Sequence, residues 1–364
     1  MDLMAVYIVL FVLLFALHCA FGNNKIAFCI SAGVLLYALI SLRSITLGVY
    51  DTSGIYLQNF NYVQSTSWNN IWTYKLPSQI AFLAITKFIS LFSNNYQVYL
   101  AIIAIPIVVA VCNLIYKYSD EPLISFISYI SLYWLYSFFL LRQMLALSII
   151  AYSVKYIYRR KPIQFVALVL VASAIHNTAI IFLIAYPFCR FVKFGYQNYF
   201  FILASFILTK LAPSIVTNYI DKYFSVQSSY ISHGIYNASG DFSAFGLVPP
   251  LAILVLAHIF KRNQSVKDDI LFNLSTLSMV TYCFAFVVSD LYRLSIYFGL
   301  FNIILISKVF KKVNKAEPTD SVDFNNDEIL LFIYVVLIIA LIAYFLLRSV
   351  DNMNAMPYLF FWQN

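Results

Sequence analysis

Long apolar runs separated by short polar turns fill the chain. They fall at about residues 4–21, 26–42, 78–92, 98–115, 122–139, 142–158, 163–175, 177–190, 197–216, 244–260, 269–288, 292–307 and 329–348. Several of them, such as Met4 to Phe21, approach or reach the roughly 17 to 25 residues that a helix needs to cross the hydrocarbon core of a bilayer. No water is available there to satisfy a backbone, so the runs predict α-helices, which bond their own N–H and C=O groups. The pattern predicts an all-α, polytopic integral membrane protein with about 12 transmembrane helices in one membrane domain over residues 1–364.

Composition agrees. Hydrophobic residues make up 62% of the chain and charged residues 10%, against roughly 25% charged in ordinary soluble domains. The first run lacks a basic flank and a cleavage pattern, which predicts a retained span. Cys19, Cys29, Cys112, Cys189 and Cys283 all lie inside apolar runs without metal-ligand or disulfide spacing, and read as packing residues. The net charge of +8 is scattered over short loops, a distribution that fits orientation in a membrane and not nucleic-acid binding.

The basic clusters Lys155–Lys161, Lys261 to Lys267 and Lys308 to Lys315 are expected on the cytoplasmic side by the positive-inside bias. Counting spans between them puts the turns at Arg142, His176 and Ser289–Tyr292 on the outer face, with both termini. The count is consistent only if Ser78–Phe92, which is short and carries Lys87, is a re-entrant or surface-lying helix. Residues 44–77 and 217–243 read as long external loops, and 308–328 as a solvated cytoplasmic linker.

Polar residues beside membrane spans are costly, so they are candidates for function. Arg142-Gln143 sits between apolar residues, where a guanidinium either binds an anion or snorkels to head groups. His176-Asn177 interrupts an apolar run; the imidazole is a candidate general base, or a junction residue satisfied by hydrogen bonds. Asp290 and Arg293 flank a tight turn and either pair with each other or contribute a second anion ligand. Arg43 precedes Asp51, a candidate base or ordinary loop carboxylate, and Tyr56, one of several aromatics suited to sugar stacking or to the interfacial belt. No nucleotide-binding loop or zinc motif is present, so any reaction is expected to need no metal and no cofactor. Three arginines, a histidine and an aspartate on one face describe a site for a lipid-linked polyanion, with diphosphate the natural guess.

In the order Arg43, Asp51, Tyr56, then Leu141-Arg-Gln-Met-Leu-Ala146, then Ala172-Ser-Ala-Ile-His-Asn-Thr-Ala-Ile180, then Tyr292-Arg-Leu-Ser-Ile-Tyr-Phe298, the sequence resembles the EpsG-like family of Wzy-type bacterial polysaccharide polymerases, which make O-antigen, capsule or exopolysaccharide chains. The resemblance covers roughly residues 40–305. It departs from the family pattern in that Val49 and Tyr50 separate Gly48 from Asp51.

The resemblance implies a helical bundle of the GT-C-like kind in the bacterial inner membrane, acting at its periplasmic or outer face. There it would transfer a growing glycan from undecaprenyl diphosphate to an incoming lipid-linked repeat unit. On that implication Arg142, Arg293 and Arg43 bind diphosphate, and His176 or Asp51 deprotonates the acceptor hydroxyl. Gln143, Asn177, Asp290 and Tyr56 orient the sugars. Implied partners are the undecaprenyl-diphosphate-linked donor and acceptor, membrane lipids, and flippase and chain-length regulator proteins. A transporter or flippase of a lipid-linked sugar, or an O-antigen ligase, stays open as an alternative.

Overall fold

The computed structural model describes residues 5–47, 51–73, 80–223, 247–259, 266–314, 335–347 and 357–363. Among them the protein is helical, with no strand beyond one isolated bridge between Arg43 and Phe360. In chain order the helices are α1 (Ala5–Phe21), α2 (Lys25–Ser41), α3 (Leu57–Ser65), α4 (Ile80–Ser90), α5 (Tyr96–Tyr118), α6 (Pro122–Tyr129), α7 (Tyr136–Phe139), α8 (Leu141–Tyr158), α9 (Pro162–Ile175), α10 (Ala185–Phe191), α11 (Tyr196–Leu211), α12 (Pro213–Tyr223), α13 (Val248–Ile259), α14 (Val266–Cys283), α15 (Tyr292–Gly299), α16 (Asn302–Asn314) and α17 (Val335–Leu347).

By packing, the chain divides into two compact units. The first is Met1–Val154, Ala167–Ile180 and Phe310–Asn364; the second is Lys155–Val166 and Ile181–Val309.

In the first unit α2 and α5 run antiparallel. Lys25 donates to the Ser119 carbonyl at one end (2.6 Å), and Gln97 donates to the carbonyls of Ser41 and Arg43 at the other. Each helix opens on an asparagine cap: Asn24 accepts from the Ala27 N–H and Asn95 from the Gln97 N–H. Gly33 lets the two helices close, because a Cβ there would stand 2.6 Å from the Cys112 sulfur.

Since Arg43 and Gln97 touch, the chain between them leaves and re-enters at the same end. Over the described residues α4 has 11 residues, shorter than the run Ser78–Phe92. Its Lys87 is buried and donates to the carbonyls of Val63 (3.0 Å) and Gln64 (3.4 Å). Those are last-turn carbonyls of α3, which the helix's own ladder leaves open and whose partial negative charge favours a cation. The segment expected as an external loop over 44–77 thus contains α3 and a π-helical stretch, Asp51–Tyr56, and packs Val63 and Ile71 against Leu83 of α4.

The C-terminal segment 357–363 straps the same end. Ser44 N–H donates to Leu359, Phe361 N–H to Leu42, and the Tyr358 hydroxyl to the Leu39 carbonyl. Tyr7 of α1 meets Tyr358 edge to face at 5.9 Å.

α8 ends on a left-handed residue, Arg160 (φ 57°). The Lys161 N–H returns to the Tyr156 carbonyl and the Arg160 N–H to that of Ile157, a helix stop that usually uses glycine, and Pro162 then starts α9.

In the second unit α14 packs against α10, α11 and α15. Asn198 of α11 bonds Asn273 and Thr276, and Asn273 reaches the Val192 carbonyl, so this buried network is internally satisfied. Ser278 donates to the Ser295 carbonyl, and Lys308 pairs with Asp268 at 3.2 Å, which sets α15 and α16 antiparallel to α14. Phe165 meets both Phe182 (5.8 Å) and Tyr186 (5.3 Å), so the chain reverses around His176.

The expected 12 spans are not reproduced by helix length. Among the described residues, Tyr96–Tyr118 and Asp268–Phe286 alone are long and apolar enough to cross a membrane, and the pair α15–α16, bent by 49°, makes a third if counted as one. The apolar runs are cut into shorter helices instead: 122–139 is interrupted by a π-helical stretch, Ile130–Trp134, and the run through 176 by its turn. Residues 224–243 of the expected external loop and 315–328 of the expected linker lie outside the described residues; α12 and α16 cover the beginnings of both.

Replacing Lys87 by methionine keeps the apolar stem but takes the ammonium donor from the buried Val63 carbonyl and the part-buried Gln64 carbonyl. It is expected to destabilise the first unit by about 1–3 kcal/mol, read as a lowered unfolding temperature in detergent. An unchanged midpoint would show that the cap of α3 contributes nothing.

Candidate functional site

Leu140, with φ −99° and ψ 48°, breaks the helix between α7 and α8. The break makes Arg142 the second residue of α8, an 18-residue helix. At that position first-turn N–H groups point away from the helix's own ladder and the dipole is positive. A cation is electrostatically misplaced there, whereas an anion is well placed.

The half-buried Arg142 guanidinium lies over the ring of Tyr56, 5.5 Å from its centroid. Tyr56 closes the π-helical stretch Asp51–Tyr56, is buried, and packs against Phe82 of α4 at 5.9 Å. Two residues read separately from the sequence, 86 positions apart, are therefore in contact. Gln143 next to Arg142 is buried.

Beside this pair stands a group that sequence reasoning did not select. Tyr99 shares a hydrogen bond with Thr86 (3.2 Å), stacks with Tyr96 at 5.6 Å and packs on Phe60 at 5.0 Å. Nothing in the sequence around these tyrosines singles them out; only the fold brings Thr86 and Phe60 onto them.

Arg43 has a different environment. It is fully buried, its Nη1 donates to the Ile40 carbonyl (3.0 Å) and its Nη2 to that of Phe138 (2.7 Å), and its guanidinium lies 5.2 Å from the Phe138 ring. Burial draws its pKa down to about 10, opposed by the nearby hydroxyls of Tyr96, Tyr358 and Tyr7, so it stays a cation at neutral pH. Its charge is occupied in holding main chain together.

His176, half-buried, stands in the first unit between α9 and the 3-10 stretch Asn177–Ile184; its N–H bonds Ala172 and its carbonyl accepts from Ala179. Asn177 is exposed. Asp51 opens the π-helical stretch, and its side chain lies outside the described set.

In the second unit Asp290 and Arg293 form an i,i+3 ion pair at 3.5 Å, with side chains 22% and 31% exposed. A pair this exposed contributes at most about 1 kcal/mol.

Comparison with curated proteins and comparison with solved structures each found no match. The EpsG family pattern matches residues 25–360, nearly the whole chain and every candidate residue above. On that match the protein belongs to the EpsG family, a family of Wzy-like polymerases.

Proposed function

We propose that this protein is a polysaccharide polymerase of the glycosyltransferase type, which transfers a growing glycan from undecaprenyl diphosphate to the sugar of an incoming lipid-linked repeat unit. The observation that carries the proposal is Arg142: a cation at the positive end of α8, backed by the Tyr56 ring. Its charge and the first-turn N–H groups of α8 together suit the phosphate oxygens of a departing diphosphate.

In the proposed reaction the acceptor hydroxyl oxygen attacks the anomeric carbon of the donor glycan. The bond from that carbon to the diphosphate oxygen breaks, and the electron pair leaves with the lipid diphosphate. Arg142 stabilises the charge that grows there. His176 takes the hydroxyl proton as general base, with Asp51 as the alternative base. The exposed Asn177 and the buried Gln143 are assigned to hydrogen bonds with sugar. Arg43, enclosed by carbonyls, and Arg293, paired with Asp290, are left outside the set on which the proposal rests.

Lys25 and Ser119 mark one end of the first unit, and Arg43, bonded to Phe138, marks the other. Lys25 and Lys117 on the cytoplasmic side put the second end at the periplasmic or outer face of the inner membrane. The shorter apolar helices then serve as further passes of a bundle of about 12. The transporter alternative has one observation in its favour, the 49° break between α15 and α16 with Asn302 buried beside it, since broken helices often line substrate paths.

A strain lacking this gene is expected to carry single-repeat glycan at its surface in place of a ladder. Loss of all surface glycan would favour the transporter. Restoring the gene with Arg142→Ala should leave membrane levels normal and cut polymerisation by about 10²–10³-fold; a wild-type ladder would remove Arg142 from the site.

His176→Ala is expected to slow transfer about 10²–10⁴-fold near neutral pH, measured on vesicles supplied with lipid-linked repeat units. An undiminished rate would move the base to Asp51.

Tyr56→Phe should retain activity because the ring face remains. Tyr56→Leu, which loses about 1–2 kcal/mol of cation–π attraction, should cost about tenfold in the same assay, and equal behaviour of the two variants would count against support of Arg142 by the ring.

A further inference from the structure

Along the first unit α2 and α5 enclose an open groove of about 610 Å³. Gly33 contributes no side chain to its floor, where the helices come closest at Cys112. Its polarity is graded. At one end Lys25 lies 5.8 Å from the ring of Tyr116, with its ammonium on the Ser119 carbonyl. Half-buried Asn113 comes next, and beyond it the lining is hydrocarbon, with Ile30 and Val34 each 61% exposed along the rim.

From Tyr116 to Ile105 the groove follows α5 for about 16 Å at the helical rise. That is about half of the roughly 30 Å hydrocarbon core of a bilayer, the depth of one leaflet. A cation, then an amide, then one leaflet's depth of apolar wall repeats the order of a glycerophospholipid: phosphate, ester, chain. Glu121, two residues after Ser119, caps α6 without a side-chain capping hydrogen bond, so the matching head group carries an ammonium as well as a phosphate.

We infer that this groove is a lipid-binding site that seats one acyl chain of phosphatidylethanolamine from the leaflet at the Lys25 end, with its phosphate on Lys25 and its ester region beside Asn113. The site lies at the end of the first unit opposite Arg43 and does not depend on the glycan-transfer reading. Long aliphatic lysine stems place their charge at head-group level in this way.

The test uses the full-length protein in phosphatidylcholine vesicles doped with phosphatidylethanolamine carrying a photoreactive diazirine on one chain. After photolysis, labelled peptides are mapped. Labelling is expected to concentrate on residues 26–37 and 105–116, above the level on exposed Phe200 and Leu203 of α11, which report general lipid contact.

Lys25→Gln should lower that excess about fivefold, the loss of one lysine–phosphate attraction. Ile30→Trp, which fills the groove from its rim without touching the α2–α5 contact, should abolish it. Equal labelling of α11, or an excess that survives Ile30→Trp, would show ordinary boundary lipid and overturn the inference. So would displacement of the probe by undecaprenyl phosphate but not by unlabelled phosphatidylethanolamine, which would give the groove to the carrier lipid instead.

Discussion

One residue, Arg43, ties together segments from both ends of the chain, its guanidinium reaching Phe138 and its backbone Phe360. A charge removed from water must be matched by hydrogen bonds or opposite charge, at a cost of several kcal/mol otherwise. Arg43, with no exposed surface, is matched by carbonyls at the ends of α2 and α7 and by the face of Phe138. Its backbone carries the bridge to Phe360, and its carbonyl accepts from Gln97 at the start of α5. Full burial makes this arrangement demanding, because buried helix-terminal carbonyls have no water to turn to. Lys87 solves the same problem for α3. In both cases a basic residue serves the negative end of a helix and brings an apolar stem with it.

Helical content was legible from the apolar runs, since their length and lack of charge leave no other structure in a bilayer. The interruptions at Arg142 and His176 were legible too, for polar residues in apolar runs mark places where the chain turns. The charge-parity argument over Ser78–Phe92 likewise fits the contact of Gln97 with Arg43, which returns the chain to the same end of α2. The number of spans was not legible. Periodicity cannot reveal the π-helical stretch at Ile130–Trp134, which contains only residues common in spans. Nor could the loop reading of 44–77 anticipate α3, whose last carbonyls are satisfied by a lysine 24 residues away from Val63. Contacts of long sequence separation, Tyr56 with Arg142 and Tyr358 with Leu39, belong to the fold and leave no local pattern. Among the candidate residues, sequence reasoning named Asp290 and Arg293 with their mutual pairing as one of two outcomes, and that pairing is present. It could not separate Arg43 from Arg142, because both are arginines beside the end of an apolar run.

The separation comes from helix polarity. Arg43 and Lys87 sit at helix C-termini, where the dipole and the open carbonyls reward a cation. Arg142 sits two residues into an N-terminus, where the same physics opposes one. A fold optimised for stability alone would place an acidic or capping residue there, as Asn24 and Asn95 do for α2 and α5. The Tyr56 ring offsets part of the repulsion through its negative face, and on the proposed reading a bound anion would draw on the N–H groups of the same turn. Positions that break a local rule at a cost in stability concentrate at functional sites. By that criterion the first turn of α8 is where the proposed reading puts the binding of a negatively charged group.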